Sequence, residues 1–166
     1  MPFWKGDGVG RPLEFGRAIG EFTRVLDGIT DDAAATALLT AEHALDPLAA
    51  RNLIDYIAEE KEAAGALPTD RSIVVERYRD ELGDWRTIIL SPFGGRVHAP
   101  WSQAIEAVLV ERTGFDVQTL WSDDGIAIRF AGVVGRPECE LRSIAFRGPS
   151  RRCGQIGLNR DTSHVG

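Results

Sequence analysis

Cysteine is scarce in this sequence: Cys139 and Cys153 are the only two, with no Cys-x-x-Cys spacing and no paired histidines beside them. That excludes a disulfide framework and a sequence-evident zinc site, and reduced thiols are the plain reading. Long apolar runs are missing too. No stretch approaches the roughly 18 residues of a membrane-spanning helix, and Met1–Gly10 has no apolar signal segment, so a cytoplasmic address is expected. Positive charge is in deficit: 19 Lys and Arg stand against 25 Asp and Glu, a net charge of -6. A free-standing nucleic-acid binder presents a basic face that neutralises phosphates, so any such contact here has to be local. The deficit is uneven, because residues 136–166 hold six arginines against Glu138, Glu140 and Asp161, about +3, which leaves about -9 on the rest.

Phosphate-binding loops are also lacking. Gly6-Asp7-Gly8-Val9-Gly10 is glycine-rich, but no Lys-Ser/Thr pair follows it, no apolar strand precedes it, and Arg11-Pro12 ends it. With neither a Walker A loop nor a Walker B carboxylate run, ATP hydrolysis on this chain alone is excluded, and no DNA-stimulated ATPase is expected of it. No cofactor site is expected either.

What is present, at 166 residues and 43% hydrophobic content, suffices for one domain-sized core. From Leu13 to Asp27 the apolar residues Phe15, Ile19, Phe22 and Leu26, with Ala18 and Val25 beside them, recur at helical spacing, and Gly28 stops the run. Thr30 or Asp31 can cap a second helix through Ala35, Leu38 and Leu39 towards Leu45. Asp46-Pro47 supplies an N-cap and a first-turn proline for a third, which places Ala50, Leu53, Ile54 and Ile57 on one face and Gly65 past its end.

The period changes after Pro68. Ser72–Tyr78 and Trp85–Leu90 are rich in β-branched and aromatic residues and flank the polar turn Asp80–Asp84, which predicts a hairpin. Ser91-Pro92-Phe93-Gly94-Gly95 breaks the second strand, and Val97 begins a short extended piece. Pro100 then starts a helix that buries Trp101, Ile105, Val108 and Leu109. Asp116–Trp121 and Ile126–Phe130 predict a second hairpin around Asp124-Gly125. The fold class is α+β: N-terminal helices, then antiparallel hairpins with an intervening helix, then an irregular C-terminal tail. The boundary falls after residue 131, with 132–166 expected to be disordered or frameshifted, since beyond Ala131 no periodic run exceeds Leu141–Phe146.

Candidate chemistry is thin. Asp80, Glu81 and Asp84, like Asp123 and Asp124, are ordinary turn formers before they are acid–base groups or a cation site. His98 has no nucleophile motif beside it, so a packed histidine is the simpler reading. Trp85, Trp101 and Trp121 sit at strand or helix positions, where core packing is the default. Trp4 lies instead in the irregular Pro2–Asp7 stretch beside Lys5, an arrangement suited to stacking on a base while the cation meets a phosphate. Arg77, Arg79, Arg86 and Arg96 surround the first hairpin and its exit and could form a phosphate-contacting edge or a solvated strand face.

Four stretches carry a resemblance. They are Pro2-Phe3-Trp4-Lys5-Gly6-Asp7-Gly8-Val9-Gly10-Arg11-Pro12, then Ala49–Leu53 with Tyr56–Glu60, then Ser72–Arg86, then Leu90–Trp101. In this order they resemble the Lhr (large helicase-related) family of superfamily 2 helicases, over residues 2 to about 130. The resemblance implies part of an ATP-dependent 3′–5′ DNA helicase associated with DNA repair, in which two motor lobes bind ATP and magnesium and a winged-helix domain precedes the segment found here. Residues 1–131 would then be part of the accessory domain beyond the winged helix, lining the single-stranded DNA path. Its partners would be that DNA and the motor and winged-helix domains, with no membrane. The resemblance also implies that Trp4 stacks on the tracked strand; Lys5, Arg77 and Arg96 are the candidate phosphate contacts read from the residues themselves, and no catalytic or metal residue carries over. The alternatives are a structural brace between neighbouring domains, a truncated product with no activity of its own, and a hydrolase built on His98 and the Asp80–Asp84 turn.

Overall fold

The computed structural model describes residues 10–130 and the backbone of residues 154–157. Three helices come first, α1 (Leu13–Asp27), α2 (Asp32–Glu42) and α3 (Pro47–Ala64). Asp31 caps α2 through the N–H groups of Ala33 and Ala34, and Asp46 caps α3 through those of Leu48 and Ala49. Gly65 closes α3 in the left-handed conformation at φ 74°. Helix α2 stops short of the expected Leu45, because Ala44 turns left-handed at φ 54° and frees Asp46 for its cap. Leu26, Ala35, Leu39 and Ala50 form the helical core, with Phe22, Leu53, Ile54 and Ile57 packed against it.

The strands β1 (Ser72–Arg79), β2 (Trp85–Leu90), β3 (Val117–Ser122) and β4 (Gly125–Phe130) appear where the β-branched and aromatic runs and their turns predicted them. Their assembly is set by pairing between hairpins: β2 meets β4 antiparallel, from Trp85 opposite Phe130 to Leu90 opposite Gly125. Within the C-terminal stretch the short strand β5 (Gly154–Gly157) pairs with β1 over Ser72–Val75, giving the order β3-β4-β2-β1-β5. The connecting helix α4 (Gly95–Thr113) packs on one face of the sheet, where Ile73, Ile89, Ile105, Leu109, Val117, Ile126, Ile128 and Phe130 make the second core. At roughly 1.5–3 kcal/mol per fully buried apolar side chain, this cluster is the main apolar stabilisation of the sheet half.

Two expectations are corrected. Helix α4 begins at Gly95, five residues before Pro100, so Val97 is helical and Pro100 lies inside the helix. The start is possible because Asp123, across the chain, accepts the Gly95 N–H at 2.7 Å and does the work of the cap that Gly94 lacks. Pro100 forfeits one intrahelical bond, to the Arg96 carbonyl, in the second turn. The second correction concerns α1, whose Phe15 is 59% exposed and Val25 45%. Its buried positions are Gly16, Gly20 and Leu26. A Cβ on Gly16 would lie 2.1 Å from the Pro92 carbonyl oxygen, and one on Gly20 2.3 Å from the Asp70 nitrogen. Helix α1 therefore docks on the sheet half through bare backbone, and Arg24 Nε clasps Asp70 Oδ1 at 2.7 Å beside that seam. The Asp70 carboxyl is held below its ordinary range by this hydrogen bond, against some desolvation.

Candidate nucleic-acid interface

The first hairpin sorts its arginines by strand parity. Successive side chains on a strand point to opposite faces, so Arg77 and Arg79 share the face of β1 that carries Ile73 and Val75, towards α4. Their guanidinium carbons each lie 5.0 Å from the centroid of the Trp85 ring, which sits opposite Arg79 in the register. Arg86 falls on the other face, in a row that runs Tyr78, Arg86, Arg129, Gln118 across four strands. There Arg86 Nε meets Asp80 Oδ2 at 2.7 Å, and Arg129 Nη2 meets Asp84 Oδ2 at 2.6 Å. The Arg86 hydrogen bond, followed by the backbone N–H groups of Asp84 and Leu82, holds Asp80 below the usual carboxylate range. Asp84 in turn raises Arg129 above its ordinary value. The acidic turn is thus committed to neutralising the far face, which accounts for Asp80 and Asp84 without acid–base chemistry.

Arg96 belongs to neither group. It occupies the first turn of α4, exposed, at the end of the sheet where β2 finishes and the β3–β4 turn lies. The edge expected to unite Arg77, Arg79, Arg86 and Arg96 is therefore divided between two faces and two ends. Trp4 and Lys5 lie outside the described residues.

The end of the sheet near Arg96 is organised by a residue the sequence did not single out. Arg11 donates its backbone N–H to Asp123 Oδ1 at 2.9 Å, Nη1 to the carbonyls of Asp123 at 3.2 Å and Pro92 at 3.3 Å, and Nη2 to Asp124 Oδ1 at 2.8 Å. Asp123 thus serves the leading segment and α4 together, and the N–H groups of Arg11 and then Gly95 hold its carboxyl below the ordinary value. Gly94 adopts φ +88°, and a Cβ there would meet the Arg11 carbonyl oxygen at 2.3 Å. The half-exposed Trp121 lies across Gly95, where an added Cβ would come within 2.7 Å of its ring. The expected Asp124-Gly125 turn is shifted by one: Asp123 and Asp124 make the turn and Gly125 pairs with Ser122. Gly125 is required for a different reason, since a Cβ would sit 2.1 Å from the Ile89 carbonyl oxygen.

His98 is wholly buried at this end. Its Nδ1 lies 2.7 Å from the Ser122 carbonyl oxygen and its Nε2 2.9 Å from Ser91 Oγ. A carbonyl only accepts, so Nδ1 donates to it, and Nε2 shares a hydrogen bond with the Ser91 hydroxyl. Superficially this is a serine–histidine pair; with Ser91 1% exposed no substrate reaches the hydroxyl, and the pair ties β2, α4 and the β3–β4 turn together. Thr87 Oγ1, on the α4 face opposite Arg77, is the one buried side-chain polar atom without a partner among the described residues. No helix among them is long and apolar enough to cross a membrane.

Comparison with known proteins adds three findings. The DEAD/H associated family matches residues 67–142, which hold β1 to β4 and α4. The Lhr helicase/probable uracil glycosylase of Mycolicibacterium smegmatis is 46% identical over 132 residues, and the Lhr helicase/uracil glycosylase of Escherichia coli is 40% identical over 137. These alignments cover 78% and 82% of this chain but only 8% and 9% of the relatives, so the chain spans less than a tenth of their length. Among solved structures, that of Mycobacterium smegmatis helicase Lhr bound to ssDNA and AMP-PNP superposes with a TM-score of 0.70 at 45% identity, covering 78% of this chain and 17% of that one.

Proposed function

We propose, from the premise that this chain belongs to the Lhr helicase family and corresponds to one segment of its much longer members, that its role is to line the path of single-stranded DNA beyond the motor of an ATP-dependent helicase. One observation carries the reading: the superposed relative is a helicase bound to single-stranded DNA. In this role Trp4 stacks on a base of the passing strand, Lys5 beside it takes a phosphate, and Arg77 and Arg96 take others. Stacking on an aromatic ring suits a translocating protein because every base offers a π-face, whatever the sequence. ATP and magnesium belong to motor lobes outside this chain, consistent with the missing Walker motifs. DNA repair is the setting the family resemblance suggests.

The chain's negative charge fits a part that works within a larger protein. Residues 1–131 by themselves should bind a single strand no tighter than roughly millimolar at physiological salt, an energy of about 4 kcal/mol, and the full chain somewhat more tightly through its arginine tail, a gain that vanishes as salt is raised. The test is to graft this chain in place of the matching segment of the Mycolicibacterium smegmatis relative and measure affinity for single-stranded DNA. Trp4→Ala should weaken binding by roughly 5- to 150-fold, the equivalent of about 1–3 kcal/mol of lost stacking. Unchanged affinity would favour the alternative role, a brace that only holds neighbouring domains apart.

A further inference from the structure

The hairpin separates its charges. Both well-placed acids of the turn, Asp80 and Asp84, bond to Arg86 and Arg129 on the open face. Arg77 and Arg79 on the opposite face have no carboxylate within ion-pair distance among the described residues, although each rests on the Trp85 ring. Two like charges two residues apart on one strand, about 6.6 Å along it, repel each other. A chain with a net charge of -6 has no shortage of acids with which to neutralise them. The ring under both guanidinium groups does what a binding site needs: it narrows their rotamer freedom before a ligand arrives and leaves their N–H edges to make bonds. Tyr78 and Arg79, at the far end of β1 from its pairing with β5, are exposed.

We propose that Arg77 and Arg79, steadied by Trp85, form a clamp for two successive phosphodiesters of a single nucleic-acid strand running parallel to β1. The spacing of alternate residues on a strand is comparable with that of neighbouring phosphates on an extended single strand, and a planar guanidinium fork suits each. The clamp rests on the DNA-path role proposed above and deepens it. Arg77 acts with Arg79 at one end of the sheet, separately from Arg96 at the other, and Trp85 is a positioning residue and not a base-stacking one.

The full chain should be titrated with a fluorescent oligothymidylate across ionic strengths from about 20 to 200 mM, a range in which phosphate contacts dominate affinity. Each phosphate neutralised on a single strand contributes about 0.7 to the slope of log affinity against log salt. Arg77→Gln with Arg79→Gln should therefore reduce the slope by about 1.4. Arg77→Lys with Arg79→Lys should retain the slope, and so separates lost charge from lost fold. Trp85→Leu should weaken binding with the slope retained. An unchanged slope in the double glutamine variant overturns the clamp, as does equal competition by polyglutamate of matched charge, which would make the pair a generic anion patch. Trp4→Ala, which removes no charge, reads the parent proposal separately. If it weakens binding while the glutamine variant is silent, only the clamp falls; if wild-type chain shows no binding at the lowest salt, the clamp falls, and the grafted helicase alone decides the parent proposal.

Discussion

Gly16→Ala sets two well-measured effects against each other. Alanine is the better helix former, by about 0.8–1.0 kcal/mol at an interior position, and in an isolated α1 the substitution would stabilise. In the folded chain the new methyl carbon would lie 2.1 Å from the Pro92 carbonyl oxygen and 3.0 Å from Phe93 Cα, both backbone atoms that cannot rotate aside. Relief requires α1 to move outward by an ångström or more, loosening its seat and the Arg24–Asp70 clasp beside it. Overpacking of this kind costs about 1–3 kcal/mol, with the upper end apt for a backbone obstacle. The net is about 2 kcal/mol of destabilisation, or roughly 4–8 °C in Tm for a chain of this size. Gly28→Ala is the control. Gly28 has φ -75°, and its Cβ would meet nothing closer than the Val25 carbonyl oxygen at 3.4 Å, so the loss of unfolded-state entropy should stabilise by about 0.4–1 kcal/mol. Paired thermal melts decide the matter. A Tm for Gly16→Ala equal to or above wild type would show that α1 does not dock through its glycine face.

Other outcomes follow from single side chains. Thr87→Val should stabilise by about 1 kcal/mol in urea melts, because it removes a buried hydroxyl with no partner while keeping the side-chain shape; destabilisation would mean the hydroxyl is satisfied. Asp123→Asn keeps an acceptor for Arg11 and Gly95 but removes its charge, and should cost about 1 kcal/mol at pH 7. Because the native carboxyl titrates below its unfolded value near 3.9, its stabilisation is complete above about pH 4 and fades as pH falls through the lower native value. The gap between wild type and Asp123→Asn should close in acid, and a gap constant down to pH 2 would contradict the charge argument.

The elements were legible in the sequence wherever their cause was local. Asp31, Asp46 and Gly65 bound helices through hydrogen bonds and backbone angles within a few residues, and the β-branched and aromatic residues of Ser72–Tyr78 and Trp85–Leu90 favour a pleated strand by themselves, although β1 buries Ile73 on one face and Val74 on the other. Even strand parity was present in principle, since Arg77 and Arg79 must share a face and Arg86 must pair across from Tyr78 once the hairpin register is known. What the sequence could not determine were effects from residues far along the chain. Helix α4 starts at Gly95 because a carboxylate 28 residues later caps it. The glycines of α1 matter because Pro92, more than 70 residues on, presses against Gly16, and the backbone of Asp70, 50 residues on, presses against Gly20. Arg11 looked like the end of a loop until Asp123 and Asp124 were brought to it. The β2–β4 pairing decided which arginines are neutralised, by setting Arg129 beside Arg86 within reach of the acidic turn. Hydrophobic periodicity records which face of an element is buried, but not which element buries it. That choice is made by backbone approach and charge pairing across the assembled sheet, and it separates the stacked Arg77–Trp85–Arg79 group from the arginines that only hold the fold.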